Sequence, residues 1–321
     1  MNTYNYMKDK YIDLKDEFVS TVKNDKDTAI RLWNKPLIDY MNEQQRTPLE
    51  FTAKDLFVLF LDKYKMTNIT SINIYKKDFE DFYNWLIQKG IMEKNICNNE
   101  ILTTEKITSY IAERNTIYYE PNDIKEICAW LIQNREYDET IIRSMYEGAV
   151  VDLMELAAVK VSDINFRKKT YTNKNGKVRV LSDRLAFLFK VMTTKDEYFT
   201  NDDRRFSMIH HEDYLMPIVK TGKNNNTDYI RNTYNNLYYE LRRSERKCGR
   251  KITGRVLYDS GLLYKVINNL GGKENFVHEM LDKRDSKDLA FALDLAGYTM
   301  KVSRFKYIYR SYALYFKNQL E

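Results

Sequence analysis

"FRKKTYTNKNGKVRVLSD", residues 166–183, differs from the sequence around it. Two short β-prone runs flank Asn175-Gly176, a pair favoured in a type I′ turn because both central residues need φ > 0. The stretch predicts a β-hairpin with basic residues along it, among them Lys174, Lys177 and Arg179. Outside it the chain reads as helix. Gly (10) and Pro (4) are scarce in 321 residues, so little interrupts helical runs. In "SINIYKKDFEDFYNWLIQKG" (71–90), Tyr75, Phe79, Phe82 and Leu86 are spaced by four, three and four, one apolar face closed by Gly90. "FTAKDLFVLFLDKY" (51–64) carries a similar stripe, and Ile230, Tyr234, Leu237 and Leu241 form another. "AERNTIYYEP" (112–121) has no period and ends in proline. It is the predicted linker between a helical domain over 1–111 and a second domain over 122–321. A helix then opens at "NDIKEICAWLIQN", with Asp123 and Glu126 spaced as a capping box. There is no internal repeat.

The chain is 43% hydrophobic and long enough for two cores. No stretch approaches the roughly 20 apolar residues that span a bilayer. The N-terminus alternates charge with aromatics instead of carrying a signal-type apolar run. Cys97, Cys128 and Cys248 are odd in number and far apart, which predicts a reducing cytoplasm without a disulfide framework or zinc site. His210, His211 and His278 lack metal-ligand spacing, so neither metal nor cofactor is expected. The net charge of +6 is modest, but it is unevenly placed. "LRRSERKCGRKITGR" (241–255) has five arginines and two lysines against one glutamate. "GYTMKVSRFKYIYRSY" (297–312) has four basic residues and no acid. Such runs predict a phosphate-binding surface. The candidate contacts are Lys76, Lys77, Lys174, Lys177, Arg179, Arg231, Arg242, Arg243, Arg246, Lys247, Arg250, Lys251, Arg255, Lys301, Arg304, Lys306 and Arg310.

The order of helical domain, linker, helices, basic hairpin, helices and a late tyrosine resembles the tyrosine recombinase (phage integrase) family over roughly residues 50–315. In "AVVDLMELAAVKVSDINF" (149–166), Glu155-Leu156 and Ser162-Asp163-Ile164 match the family's Thr-Gly-Leu-Arg-x-Ser-Glu-Leu and following Ser-Asp-Ile without gaps. That alignment puts Asp152 where the family has its first catalytic arginine. "NKNGKVRVLS" resembles the hairpin that supplies the catalytic lysine, with Lys177 or Lys174 in that role. "ITGRVLYDSGLLYKV" (252–266) resembles Thr-Pro-His-x-x-Arg-His, with Arg255 for the histidine and Tyr258 for the second arginine. "LAGYTMKVSRFKYIY" (295–309) resembles Leu-Gly-His and the nucleophile nine residues on, with Tyr298 for the histidine and Tyr307 at the nucleophile. The resemblance implies a mainly α, two-domain architecture: a helical core-binding domain, then an α+β catalytic-type domain with a small hairpin or sheet.

The resemblance also implies a chemistry. Attack of tyrosine on a phosphodiester builds negative charge, which the family's two arginines neutralise. Losing one such donor costs about 10²–10³ in rate. Asp152 instead adds negative charge; like unit charges ~4 Å apart repel by about 4 kcal/mol at an effective dielectric of 20. Arg255 stays cationic and is a poor base. The expectation is a catalytically inactive, recombinase-like protein that keeps its grip on double-stranded DNA operator sites. It resembles prophage repressors that use this fold, working in the bacterial cytoplasm at the nucleoid. Self-association on DNA and a phage regulatory protein complete the expected partners. Two other readings stay open: an active but divergent recombinase using Arg255 and Lys177, and a protein-interaction module paired with a true integrase.

Overall fold

A computed structural model of the chain describes residues 3–22, 25–66, 69–131, 133–199, 205–219, 228–282, 284 and 286–321. Two compact units emerge: Met1–Thr116 with Ile308–Glu321, and Ile117–Tyr307. The first unit holds helices α1 (Thr3–Val19), α2 (Asp25–Leu32), α3 (Lys35–Gln44), α4 (Ala53–Val58), α5 (Ile69–Gln88) and α6 (Thr104–Asn115). Its starts and stops follow local chemistry. Thr52 caps α4 reciprocally with Asp55: Asp55 N donates to Thr52 Oγ1 at 3.3 Å, and Thr52 N donates to Asp55 Oδ2 at 2.7 Å. Helix α5 buries Phe79, Phe82 and Leu86 as its periodicity predicts, with Tyr75 half-buried. It stops at Gly90, whose φ of 70° lets Ile91 N reach back to Leu86 O at 2.9 Å. Aromatic edges fill this core, Tyr11 meeting Phe82 at 5.8 Å and 84°.

The second unit is α7 (Pro121–Ala129), α8 (Arg135–Tyr146), α9 (Leu153–Ala157), β1 (Ile164–Asn165), β2 (Thr170–Thr172), β3 (Val178–Val180), α10 (Asp183–Met192), β4 (Glu197–Phe199), β5 (Arg205–Ile209), β6 (Ile218–Val219), α11 (Tyr229–Cys248), α12 (Gly254–Asn269), α13 (Lys273–Leu281), α14 (Lys287–Leu295) and the start of α15 (Val302–Leu320). The predicted class, mainly α with small antiparallel sheet, is the one formed. The sheets run β1-β2-β3 and β4-β5-β6. The hairpin pairs Thr170 with Val180 and Thr172 with Val178.

Local details differ from expectation for physical reasons. In the hairpin loop only Gly176 has positive φ, at 73°, and Gly176 N donates to Asn173 O at 2.8 Å. Lys174 and Asn175 are therefore the centre of a turn without the paired positive φ of type I′, and the glycine alone turns left-handed behind them. Helix α7 starts at Pro121, and its cap is Glu120, three residues before the expected cap at Asp123. Its first-turn position suits proline's fixed φ and missing N–H. Glu120 is the N-cap, and Asp123 answers it by accepting Glu120 N at 2.8 Å. The extended segment is 116–120, because α6 continues to Asn115. The second sheet had no sequence signal.

Helix α8 is buried along most of its length, from Tyr137 to Tyr146. At Gly261 of α12 a Cβ would lie 1.6 Å from the Tyr146 carbonyl oxygen. About two turns earlier, α8 brings Asp138 into the core against α11. Tyr198 donates to Glu240 Oε1 at 2.6 Å, Arg243 pairs with Glu240 at 2.5 Å, and the Arg243 guanidinium lies 5.0 Å from the Tyr198 ring centroid. Neither Asp138 oxygen has a donor among the described residues. Burial first, then the Glu240 charge, pushes Asp138 up to about 8, against the pull of Arg243 and Lys247. Asp138 therefore keeps its proton at neutral pH and can donate it to Glu240.

Two outcomes test this core. Gly261→Ala should lower stability by at least about 3 kcal/mol, the upper range for overpacked cores, because a backbone carbonyl must move; a urea titration measures it. The folded state holds a proton on Asp138 that the unfolded chain releases near the ordinary value of 3.8. Its contribution is thus complete at acid pH and is lost as pH rises from about 4 through about 8, at up to about 1.4 kcal/mol per pH unit. Asp138→Asn should flatten that slope in urea midpoints taken at pH 5 and 8.

Candidate nucleic-acid interface

The residues matched to a reaction centre lie in the second unit, and the structure gives each a specific setting. Asp152 is the N-cap of α9, accepting Glu155 N at 2.8 Å. Glu155 returns the contact by accepting Val151 N at 2.7 Å. Lys177, just before β3, and Arg179, within it, both donate to the Gly297 carbonyl, Arg179 at 3.3 Å. Gly297 has φ of 79°, and a Cβ there would come within 3.0 Å of Arg179 Nη1. Only glycine lets the loop after α14 approach the hairpin this closely. Tyr258, on α12, meets Tyr298 edge to face at 6.0 Å. Burial pushes the Tyr258 phenol up, while its bond with Tyr298 and the Arg179 charge pull it down.

Lys265, two turns beyond Tyr258, was not singled out by the sequence. It donates to the Glu147 carbonyl at 2.6 Å. Its trace in the sequence is a lone cation inside the apolar run "LLYKVI". Burial first, then Arg179, lowers the Lys265 ammonium. The same two causes, in the same order, lower Lys177. Three cations thus crowd one another, and their hydrogen bonds go to backbone carbonyls. Arg179 Nε is buried without an acceptor among the described residues. Asp294 and Glu147 offset part of the charge on Lys177 and Lys265; with Arg179 and the hydroxyl-bearing rings of Tyr258 and Tyr298, the arrangement is suited to holding an anion.

Arg255 points elsewhere: its Nε donates to buried Asp259 at 2.6 Å, one turn along the same helix. Tyr307 is 86% exposed, and its hydroxyl has no partner among the described residues.

The proposed phosphate contacts divide into two sets. Lys77, Lys174, Arg231, Arg242, Arg246, Lys251, Lys301, Arg304 and Arg310 are exposed. Others are committed inward. Arg243 is only 14% exposed and spent on Glu240, so its spacing beside Arg242 misled: adjacent helix residues face about 100° apart. Lys306 donates to the carbonyls of Asp282 and Arg284 at 3.0 and 2.8 Å, fastening the turn before α14. Arg250 pairs with Glu126 at 2.7 Å and with Asp123 at 3.3 Å. Lys76 and Lys247 are half-buried. Among the described residues no cluster of His, Cys, Asp or Glu could hold a metal, and no helix is long and apolar enough to cross a membrane.

No family model matches the chain, and no curated protein does. Among solved structures, the chain is similar to the XerA recombinase, with 14% identity, a TM-score of 0.32, and coverage of 94% of this chain and 98% of that one. An integrase from mycobacterium phage Brujita gives 9% identity and a TM-score of 0.35, over 98% of this chain and 92% of that one. A lambda integrase dimer bound to a COC' core site gives 11% identity and a TM-score of 0.33, over 91% and 95%. Likeness at this level assigns neither a family nor an activity to this chain.

Proposed function

We propose that this protein is a sequence-specific double-stranded DNA-binding protein, a prophage transcriptional repressor on a recombinase-like fold that does not transfer strands. The observation that carries the reading is Asp152. At the position matched to the family's first arginine stands a carboxylate already engaged in capping α9. A phosphodiester placed there meets negative charge where the reaction needs positive. Tyr258 and Tyr298 take the places of the second arginine and the histidine, and among the described residues the exposed Tyr307 hydroxyl has no hydrogen-bond partner. Binding survives these losses, because Lys177, Arg179, Lys265 and the exposed cations of α11 and α15 can still hold phosphates. A regulator that binds without cutting needs no more.

One observation favours an active but divergent recombinase instead. Arg179, with its unanswered Nε, supplies a cation beside Tyr258 and Tyr298. Incubation with a nicked suicide substrate separates the readings. The expected result is no covalent adduct with wild type, and Tyr307→Phe binding duplex DNA within about threefold of wild type, the loss of at most one hydrogen bond. An adduct that Tyr307→Phe abolishes would establish strand transfer. Affinity should also fall about 10³–10⁵-fold between 50 and 200 mM salt if 6–10 phosphates are engaged. Arg304→Ala should reduce the slope of log K against log salt by about one, read from gel shifts at four salt concentrations.

A further inference from the structure

Within the first unit, α4, α6 and the 3₁₀ turn Glu100–Leu102 border an open groove of about 510 Å³. Small-ligand sites occupy about 300–1,000 Å³ and combine an apolar lining with a few polar groups. The floor here is Phe57, Ile101 and Tyr110, all half-buried. Phe57 and Tyr110 meet edge to face at 4.9 Å and 72°, which fixes both rings. Four charged side chains surround this floor: Lys54, Glu100, Lys106 and Glu113. All four are exposed, and none has a hydrogen-bond or ion-pair partner among the described residues. Pairing is within reach on the same helix, because Arg114, next to Glu113, is bonded to Asp62. Two lysines and two glutamates cancel, so the groove favours an occupant without net charge.

Helix α6 gives that charge a direction. Lys106, Tyr110 and Glu113 are spaced by four and three and share one face. Lys106 is in the first turn and Glu113 in the last, about 10.5 Å apart at 1.5 Å per residue. They are too far apart to pair with each other. Each also stands at the end of the helix where its charge is disfavoured, since the dipole stabilises acids at the N-terminus and bases at the C-terminus. Their sequence neighbours Glu105 and Arg114 follow that rule. On the groove face alone, positive charge is added to the positive end and negative charge to the negative end. Folding gains nothing from that placement, whereas a dipolar occupant lying along the groove meets both charges.

We infer that this groove binds a short apolar peptide of about three residues with free termini, its carboxylate at Lys106 and its ammonium at Glu113. An extended chain spans about 3.3–3.6 Å per residue, so three residues cover the distance between the two charges. The peptide's apolar side chains rest on Phe57, Ile101 and Tyr110. An internal segment of a longer polypeptide carries no backbone charge at either point, so the free termini are what the groove recognises. The inference uses none of the residues on which the DNA-binding reading rests and stands apart from it.

The test is equilibrium dialysis of the full-length protein against a pool of all tripeptides built from Ala, Val, Leu, Ile and Phe, with retained peptides read by mass spectrometry. The wild type is expected to retain a subset of the pool. The double variant Lys106→Gln with Glu113→Gln should retain that subset roughly 5- to 25-fold less, two exposed charge contacts at up to about fivefold each. Both positions are exposed, so matching thermal melts check that the variant folds. The same tripeptides with acetylated N-termini and amidated C-termini should be retained by the wild type at least about fivefold less. Retention of no tripeptide by the wild type overturns the inference, as does equal retention by the double variant. Equal retention of the capped forms overturns it too, because the groove would then take an internal segment of a partner protein. A wild-type dimer in sedimentation that the double variant dissolves assigns the groove to a second copy of this chain and likewise overturns it.

Discussion

Between α8 and α12 there is no room for a side chain at position 261, since the Tyr146 carbonyl oxygen fills the space a Cβ would take. That approach sets the geometry of much of the second unit. One residue beyond Tyr146, the Glu147 carbonyl receives Lys265, one helical turn beyond Gly261. Tyr258 lies a turn before Gly261 and meets Tyr298, whose loop is fastened to the hairpin through the Gly297 carbonyl. The chain that leaves α8 turns at Gly148, with φ of 71°, and reaches Asp152 at the head of α9. A shift of α12 away from α8 would therefore move Lys265 and Tyr258 relative to the hairpin cations. The same contact that fills the core positions the charged groups.

Charge in this chain is divided between holding the fold and facing outward, and sequence spacing does not reveal the division. Glu139, buried, takes Arg143 at 2.6 Å and Arg184 at 2.5 Å. Arg243 neutralises Glu240 beside a carboxyl that keeps its proton. Breaking such a buried pair from one side leaves an uncompensated charge, which costs about 3–5 kcal/mol. Arg242 and Arg246, on the other side of the same helix, bear no such burden. Helix α11 thus serves as a core element on one side and a cationic surface on the other. Tyrosines mark the boundary: Tyr238 of α11 stacks with Arg242, while Tyr198 of β4 receives Arg243.

The helices and the hairpin were legible because their signals are local. The stripe of Phe79, Phe82 and Leu86 and the stop at Gly90 are properties of one segment. Asn175-Gly176 marked the turn, although its geometry came from Gly176 alone. The start of α7 was placed late because Asp123 suits either cap or third position, and only Pro121 and the Glu120 N–H decide between them. The strands β4 to β6 pair antiparallel with their sequential neighbours, but they are two to five residues long, too short for alternation to register. At the candidate site, residue types were readable and partners were not. Lys306 and Arg304 look alike in sequence, yet the first is tied to two carbonyls and the second is exposed. Lys265 was missed because a single lysine in an apolar helix becomes informative only once Arg179 is seen beside it.

Asp152 shows why local structure and chemistry compete at that position. Helix α9 has five residues, far short of the ~12–15 that isolated helices need. Its first N–H groups must find acceptors, and an N-cap carboxylate contributes about 0.5–2 kcal/mol there. It also places negative charge at the positive end of the helix dipole. An arginine at 152 has no acceptor to offer Glu155 N, so a sequence using arginine for catalysis must stabilise this turn by other means. Here the aspartate and Glu155 close the turn reciprocally, through Glu155 N and Val151 N. With that choice made, an arginine at 258 or a histidine at 298 would add a charged or titratable group to a half-buried site already crowded by Lys177, Arg179 and Lys265. Two packed tyrosines avoid that repulsion while keeping hydroxyl donors beside the cations. The residues at 152, 258 and 298 are thus mutually consistent: Asp152 closes the turn at the head of α9, and Tyr258 and Tyr298 pack together without adding charge beside Lys177, Arg179 and Lys265.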